Sequence, residues 1–189
     1  MTQTMTEPRT ELNASRTQPL RLHHHAWITD DQEANRHFYE DVIGLPLVAT
    51  WTEREVLSGA ERAYCHTLYG LADGSALAFF QFADPKDQEE FKTGINTTPL
   101  RHIAFKVEAE TQDAIRERVT AADYPQANPH VLDHGFCVSL YITDPNGLIL
   151  EFAVDHPDVE KIDAERRATA HADLGRWLAG DHTSNNNWR

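Results

Sequence analysis

Several things are scarce in this chain of 189 residues, and each scarcity excludes something. Cysteine occurs twice, at Cys65 and Cys137, too few for a disulfide framework. Each lies in a strand-like run and reads as a small buried thiol, the usual state of free cysteine; this fits a reducing, cytoplasmic setting. Basic residues are outnumbered, 17 Lys and Arg against 30 Asp and Glu, for a formal net charge of −13. A nucleic-acid surface needs a basic footprint, so no nucleic-acid partner is expected. No apolar run approaches the roughly 20 residues that cross a bilayer, and the first residues lack the apolar core of a signal peptide. The expectation is one domain, large enough to bury a core, with no membrane partner.

What the chain does have is a repeat. Leu22-His23-His24-His25-Ala26-Trp27 returns as Leu100-Arg101-His102-Ile103-Ala104-Phe105, a Leu-x-His-x-Ala-aromatic pattern in both places. Around each copy the same order of elements can be read. In the first, a strand over 20–29 precedes a helix over 33–43, with Asp30 or Asp31 as its cap, Ala34, Phe38 and Val42 at helical spacing, and Gly44 as its stop. Strands near 46–52, 62–70 and 75–83 follow, the last two separated by Ala72-Asp73-Gly74. In the second, a strand over 100–108 and a helix near 110–122 lead to strands near 128–134, 136–143 and 147–154, with Asp144-Pro145-Asn146-Gly147 as a turn. The fold expected is α+β: two βαβββ modules, about 20–83 and 100–155, within a domain over 20–155. A polar arm over 1–19 reads as disordered. Residues 156–189 read as a C-terminal helix with a Leu174/Trp177/Leu178 stripe and a polar tail.

The repeat also selects candidate ligands. Side chains alternate along a strand, so only His24, of the three consecutive histidines, shares a face with Ala26 and Ile28. It aligns with His102. Aligning Asn146-Gly147-Leu148-Ile149-Leu150-Glu151-Phe152 with Asp73-Gly74-Ser75-Ala76-Leu77-Ala78-Phe79 gives Glu151 the counterpart Ala78. A carboxylate flanked by Leu150 and Phe152 must be answered by something, because burying it bare is too costly; an arginine would serve, and so would a cation. Two His and one carboxylate on one face form a facial metal triad with open positions.

These residues resemble the vicinal oxygen chelate superfamily, which includes glyoxalases, bleomycin- and fosfomycin-resistance proteins and type I extradiol dioxygenases. The likeness is carried by His24 and Asp31, then Phe38-Tyr39-x-x-Val42-Ile43-Gly44-Leu45, then His102, then Asp144-Pro145-x-Gly147-x-x-x-Glu151, over about 20–155. It implies a cupped mixed sheet around a metal held by His24, His102 and Glu151, in a homodimer; the cup can close within one subunit or across two. His134 through Glu151 is further similar to the extradiol ring-cleavage signature, with His134, Leu140-Tyr141, Asp144-Pro145-x-Gly147 and Glu151 at permitted spacings and Leu132 as the one departure. That resemblance implies His134 and Tyr141 as catalytic groups beside Fe(II), with a small aromatic diol and dioxygen as substrates. The acid–base histidine usual on the last strand of the first module is missing over 74–83. Ser75 or Gly74 takes its place, and His66 stands on the preceding strand.

Two other classes use the same residues. A glyoxalase- or epimerase-like lyase or isomerase would stabilise an enediolate on Mn, Ni, Co or Zn, with Gln81 as a neutral fourth ligand only if a bulge turned it inward. A non-catalytic binding protein would not need an intact triad.

Overall fold

The computed structural model describes residues 19–92, 98, 100–122 and 124–188. The expected disordered arm lies, apart from Pro19, outside the described residues. Strand β1 (His24–Ile28) is followed by helix α1 (Gln32–Arg36), which runs on into wider π-helical turns over His37–Ile43. Asp31 caps it, one carboxylate oxygen accepting from the backbone N–H of Glu33 and Ala34 at 2.9 Å each, which satisfies two of the donors a helix start leaves open. Gly44 ends it at φ 92°, a left-handed geometry that glycine adopts without strain. Strands β2 (Leu47–Leu57) and β3 (Ala60–Gly70) form a hairpin longer than the sequence pattern implies. Its turn is Ser58-Gly59, both at positive φ, the requirement of a tight two-residue loop. Strand β4 (Ala76–Phe82) completes a sheet in the order β1-β4-β3-β2, with β1 and β4 parallel.

The stretch after β4, expected to be a plain polar connection, holds helix α2 (Pro85–Phe91), capped by Asp84 with proline in its first turn. The second module then repeats the first. Strand β5 (His102–Lys106), helix α3 (Ala109–Ala121) and strands β6 (His130–Asp133), β7 (Cys137–Thr143) and β8 (Ile149–Asp155) give a sheet ordered β5-β8-β7-β6. Helix α4 (Val159–Leu178) follows, anchored by fully buried Ile162.

One core joins the helix-facing sides of both sheets. Phe38, Tyr39, Val42 and Ile43 from the first module and Ile115 and Val119 from α3 pack with Tyr69, Leu77, Phe79, Leu140, Ile142, Leu150 and Phe152. Full burial of each such side chain contributes about 1.5–3 kcal/mol before chain entropy is counted. Polar stitches cross the same seam. Tyr39 donates its hydroxyl to buried Asp144 at 2.7 Å, and Asn146 donates to Asn35 at 2.9 Å. Arg118 of α3 donates to the carbonyls of Val42 and Ile43 at 2.6 and 2.7 Å, capping the end of the first module's helix. With the helix sides consumed by the core, the opposite face of each sheet is left for chemistry.

Candidate metal centre

Strand register sets that face in the second module. Ala104 pairs with Glu151, Glu151 with Tyr141, and Tyr141 with His130, so these side chains stand on one side, joined by His102 and Ser139 one alternation away. His102 Nε2 lies 2.8 Å from Glu151 Oε2, and Ser139 donates to Glu151 Oε1 at 2.5 Å. His134 Nε2 lies 2.9 Å from the Tyr141 hydroxyl, which also hydrogen-bonds Glu151. His130 stacks on the Tyr141 ring, and the Cys137 thiol touches Ser139. Burial and then the Glu151 charge raise the Tyr141 phenol above its ordinary pKa, and burial raises the Cys137 thiol. Tyr141 is therefore protonated at neutral pH, a donor to whatever lies beside it.

The Glu151 side chain is 8% exposed. An imidazole nitrogen and a carboxylate oxygen at 2.8 Å form a hydrogen bond without a cation and can bind one together when it arrives. This donor set fits a divalent first-row metal. Ser139 and Tyr141 supply the outer hydrogen bonds that hold such a carboxylate in place. Ser139 escaped the sequence reading, although its alternation with Tyr141 and Cys137 put it on the same face.

The other candidates are distributed as follows. His24 shares the corresponding face of the first module with Ala26 and Ile28; it is exposed, and its Nδ1 lies 2.8 Å from that of His23. His25 points the other way and stacks on Trp27 at 3.6 Å. Within one chain His24 does not join His102 and Glu151: among the described residues no three His, Cys, Asp or Glu gather into a group able to hold a metal. A cleft of about 430 Å³ is lined from both faces of β1, by His25 and Trp27 as well as Ala26 and Ile28, together with Phe80, His102 and Ile103. Gln81 faces the helix side, accepting from the Gln32 backbone and donating to the Asp30 carbonyl, so no bulge turns it toward a metal. Ser75 is held in its turn by Asp73 at 2.5 Å. His66 lies on the same face as Phe80, its cross-strand partner.

A model of the Glyoxalase/Bleomycin resistance protein/Dioxygenase superfamily matches residues 21–152. The chain belongs to this superfamily. The match ends before α4, which is additional to the shared fold. A search of curated proteins finds no match. Among solved structures, the fosfomycin resistance protein FosX from Mesorhizobium loti is 18% identical, with a TM-score of 0.50 over 77% of this chain and 99% of its own. An E126Q mutant of FosX from Listeria monocytogenes, complexed with Mn(II) and 1S,2S-dihydroxypropylphosphonic acid, is 15% identical, with a TM-score of 0.54 over 75% and 97%. A domain of the same superfamily from Frankia sp. EAN1pec is 15% identical, with a TM-score of 0.52 over 75% and 95%. At these identities the likeness is one of fold, and the fold hosts several chemistries.

Proposed function

We propose that the protein is a divalent-metal enzyme for a small substrate presenting two adjacent oxygens, and that its reaction is extradiol-type cleavage of an aromatic diol with Fe(II). The observation that carries this reading is the pairing of His134 with Tyr141 at 2.9 Å, beside the Glu151–His102 pair. His134, Tyr141 and Glu151, read from one sequence signature, and His102, read from the internal repeat, gather about one sheet face. His102 and Glu151 of one chain would hold the metal with His24 of a second copy. The separation of His24 from the other two within a chain supports that division, and the matched histidines of the repeat make it self-complementary in a twofold dimer.

When bound, Fe(II) would supply a Lewis-acidic, redox-active centre where diol and dioxygen meet. The chain's own groups do the rest. Glu151 is held by Ser139, so its carboxylate is oriented before substrate arrives. The Tyr141 hydroxyl, set between His134 and Glu151, hydrogen-bonds a diol oxygen, and His134 Nε2 accepts a proton relayed through it. Both atoms of dioxygen enter the product as one ring carbon–carbon bond breaks, so no external reductant is needed.

A second reading has an observation of its own. On the first-module face Tyr64 donates to Glu55, with a Glu53 oxygen 3.4 Å from the same hydroxyl; carboxylates of this kind abstract a proton next to a carbonyl. That favours an enediolate-forming lyase or isomerase on Mn, Ni, Co or Zn.

Anaerobic loading with Fe(II), followed by oxygen-uptake assays on catechols and hydroquinones, separates the two. Uptake with a yellow ring-fission product, lost in His102→Ala and Glu151→Ala, is the expected result. Turnover of a hemithioacetal or an epimerisable acid with Mn, Ni, Co or Zn, and no oxygen uptake, would replace this reading with the second.

A further inference from the structure

Helix α4 lies beyond the family match, which ends at residue 152, and it adds little to the core. Of its 20 residues only Ile162 is buried. The contacts made by α4 and the segments flanking it gather instead on one place, the turn from β6 to β7 that carries His134. Arg166 of α4 lays its guanidinium over the Phe136 ring, 3.8 Å from the centroid. Just before α4, the backbone N–H of His156 donates to the Phe136 carbonyl at 2.9 Å, and His156 Nδ1 accepts from the backbone of Asp158 at the helix start. Beyond the helix, Asn186 donates to the His134 carbonyl at 3.4 Å, and Trp188 meets the His156 ring and the Lys161 ammonium.

That turn needs holding. Strand β6 is an edge strand of four residues, and His134, just past its end, is half-buried. Among the described residues its imidazole makes one hydrogen bond, between Nε2 and the Tyr141 hydroxyl at 2.9 Å. Two rings lie against it, Tyr141 edge-on and Phe136 near-parallel, the latter at 5.9 Å and 30°. A half-buried ring with one hydrogen bond keeps much of its rotamer freedom, and that freedom must be removed if a reacting pair is to stay in register. Phe136 backs the imidazole, and Arg166 backs Phe136. Among the described residues Arg166 forms no ion pair, although the chain carries 30 Asp and Glu. Its partner is an aromatic face, which attracts a guanidinium.

We propose that Arg166 is a positioning residue for the proton-handling pair: it pins the Phe136 ring, that ring fixes the imidazole lying against it, and His134 Nε2 is thereby held on the Tyr141 hydroxyl. The inference rests on the reading of His134 and Tyr141 given above. It assigns α4 a part in the chemistry without contact to metal or substrate, and it accounts for an exposed helix whose contacts gather on this one turn.

Long-range proton–nitrogen NMR spectra of the full-length, metal-free protein, labelled with nitrogen-15 at histidine, read the His134 ring directly, its signals assigned by their loss in His134→Gln. Arg166→Met removes the cation and keeps an unbranched side chain. It is expected to move the His134 nitrogens toward the values of an imidazole averaging both tautomers, with the His24 and His102 signals in place. Arg166→Lys, which keeps a cation able to sit over the ring, should restore most of the shift. Phe136→Leu should displace the His134 signals in the same way, and adding Arg166→Met to it should change nothing more, because the two act in series. Unchanged His134 signals in Arg166→Met overturn the proposal. So does a full further shift in the Phe136→Leu background, and so does a lowered melting temperature with all histidine signals moved together, which would leave α4 a role in folding alone. In the Fe(II)-loaded enzyme Arg166→Met should lower kcat about tenfold or more with KM for the diol unchanged. An unchanged kcat beside a displaced His134 signal would instead remove His134 from the proton-handling pair and overturn the reading on which this inference rests.

Discussion

At four matched positions the first module carries His24, His66, Leu68 and Ala78 where the second carries His102, Ser139, Tyr141 and Glu151. The scaffolds are alike, strand for strand, but the faces they present are not. On the second module the polar groups answer one another: Ser139 and His102 bond the two oxygens of Glu151, and His134 bonds Tyr141. On the first, His24 is exposed, and His66, packed between Trp51 and Phe80, has a buried nitrogen without a hydrogen-bond partner among the described residues. A buried carboxylate is tolerable only inside a satisfied network. With such a network on one module, the other is left to present an exposed histidine beside aromatic side chains. The repeat supplies matching geometry, and the divergence supplies the division of labour.

The largest blow to this contrast falls on the carboxylate. Glu151→Gln keeps the shape and removes the charge, and should weaken divalent-metal affinity by more than about 100-fold, beyond the range found for outer-sphere partners. Competition against a chelating dye reads it directly. The same substitution should barely change the melting temperature of the metal-free protein.

An effect on stability is expected where the modules are stitched together. Tyr39→Phe removes the hydroxyl that donates to Asp144 and should cost about 1–3 kcal/mol in urea unfolding at neutral pH. Burial already raises the Asp144 carboxyl above its ordinary 3.8, against hydrogen bonds from Asn146, Tyr39 and Leu148. A raised folded pKa means this group's contribution is fully present below 3.8 and is lost as pH rises through the folded value. Without the Tyr39 hydroxyl the folded value rises further, so the Tyr39→Phe penalty should grow from acid to neutral pH. A penalty that shrinks over that range would remove Asp144 as its cause.

Ser139→Ala should have the mildest effect, about tenfold in metal affinity, because His102 and Tyr141 still hold Glu151. The same change made at the matched first-module position, His66→Ala, should leave metal affinity untouched.

Much of this was legible in the chain. The Leu-x-His-x-Ala-aromatic repeat located both β1 and β5, and strand alternation alone put His24 apart from His23 and His25. The Asp-Pro-x-Gly turn and Glu151 located β8, and the likeness to the ring-cleavage signature picked out Tyr141, which the register then sets opposite Glu151. Helix α2 was hidden because Asp84-Pro85 reads equally as a turn or as a cap followed by proline in a first helical turn, and what ties the segment down is tertiary: Gln88 bonds the Phe82 and Thr29 backbones, Asp87 and Glu90 pair with Arg62, and Phe91 stacks on Phe82. The Arg118 cap was beyond reach for a different reason. Its partners are carbonyls of the other module, 75 and 76 residues away, and no local pattern encodes them. The company that His24 keeps was illegible because nothing in the repeat says whether the cup closes within one chain, as the two modules allow, or across two, as proposed above.

That assembly is the central claim, and mixing inactive variants tests it most directly. His24→Ala and Glu151→Ala proteins are each expected to be inactive. Unfolded together and refolded, they form mixed dimers in which one site takes His24 from one chain and His102 with Glu151 from the other, all intact. Statistical mixing then predicts return of about a quarter of wild-type activity. No recovery, from variants that each fold and dimerise, would mean that the three ligands meet within a single chain and would contradict the shared site.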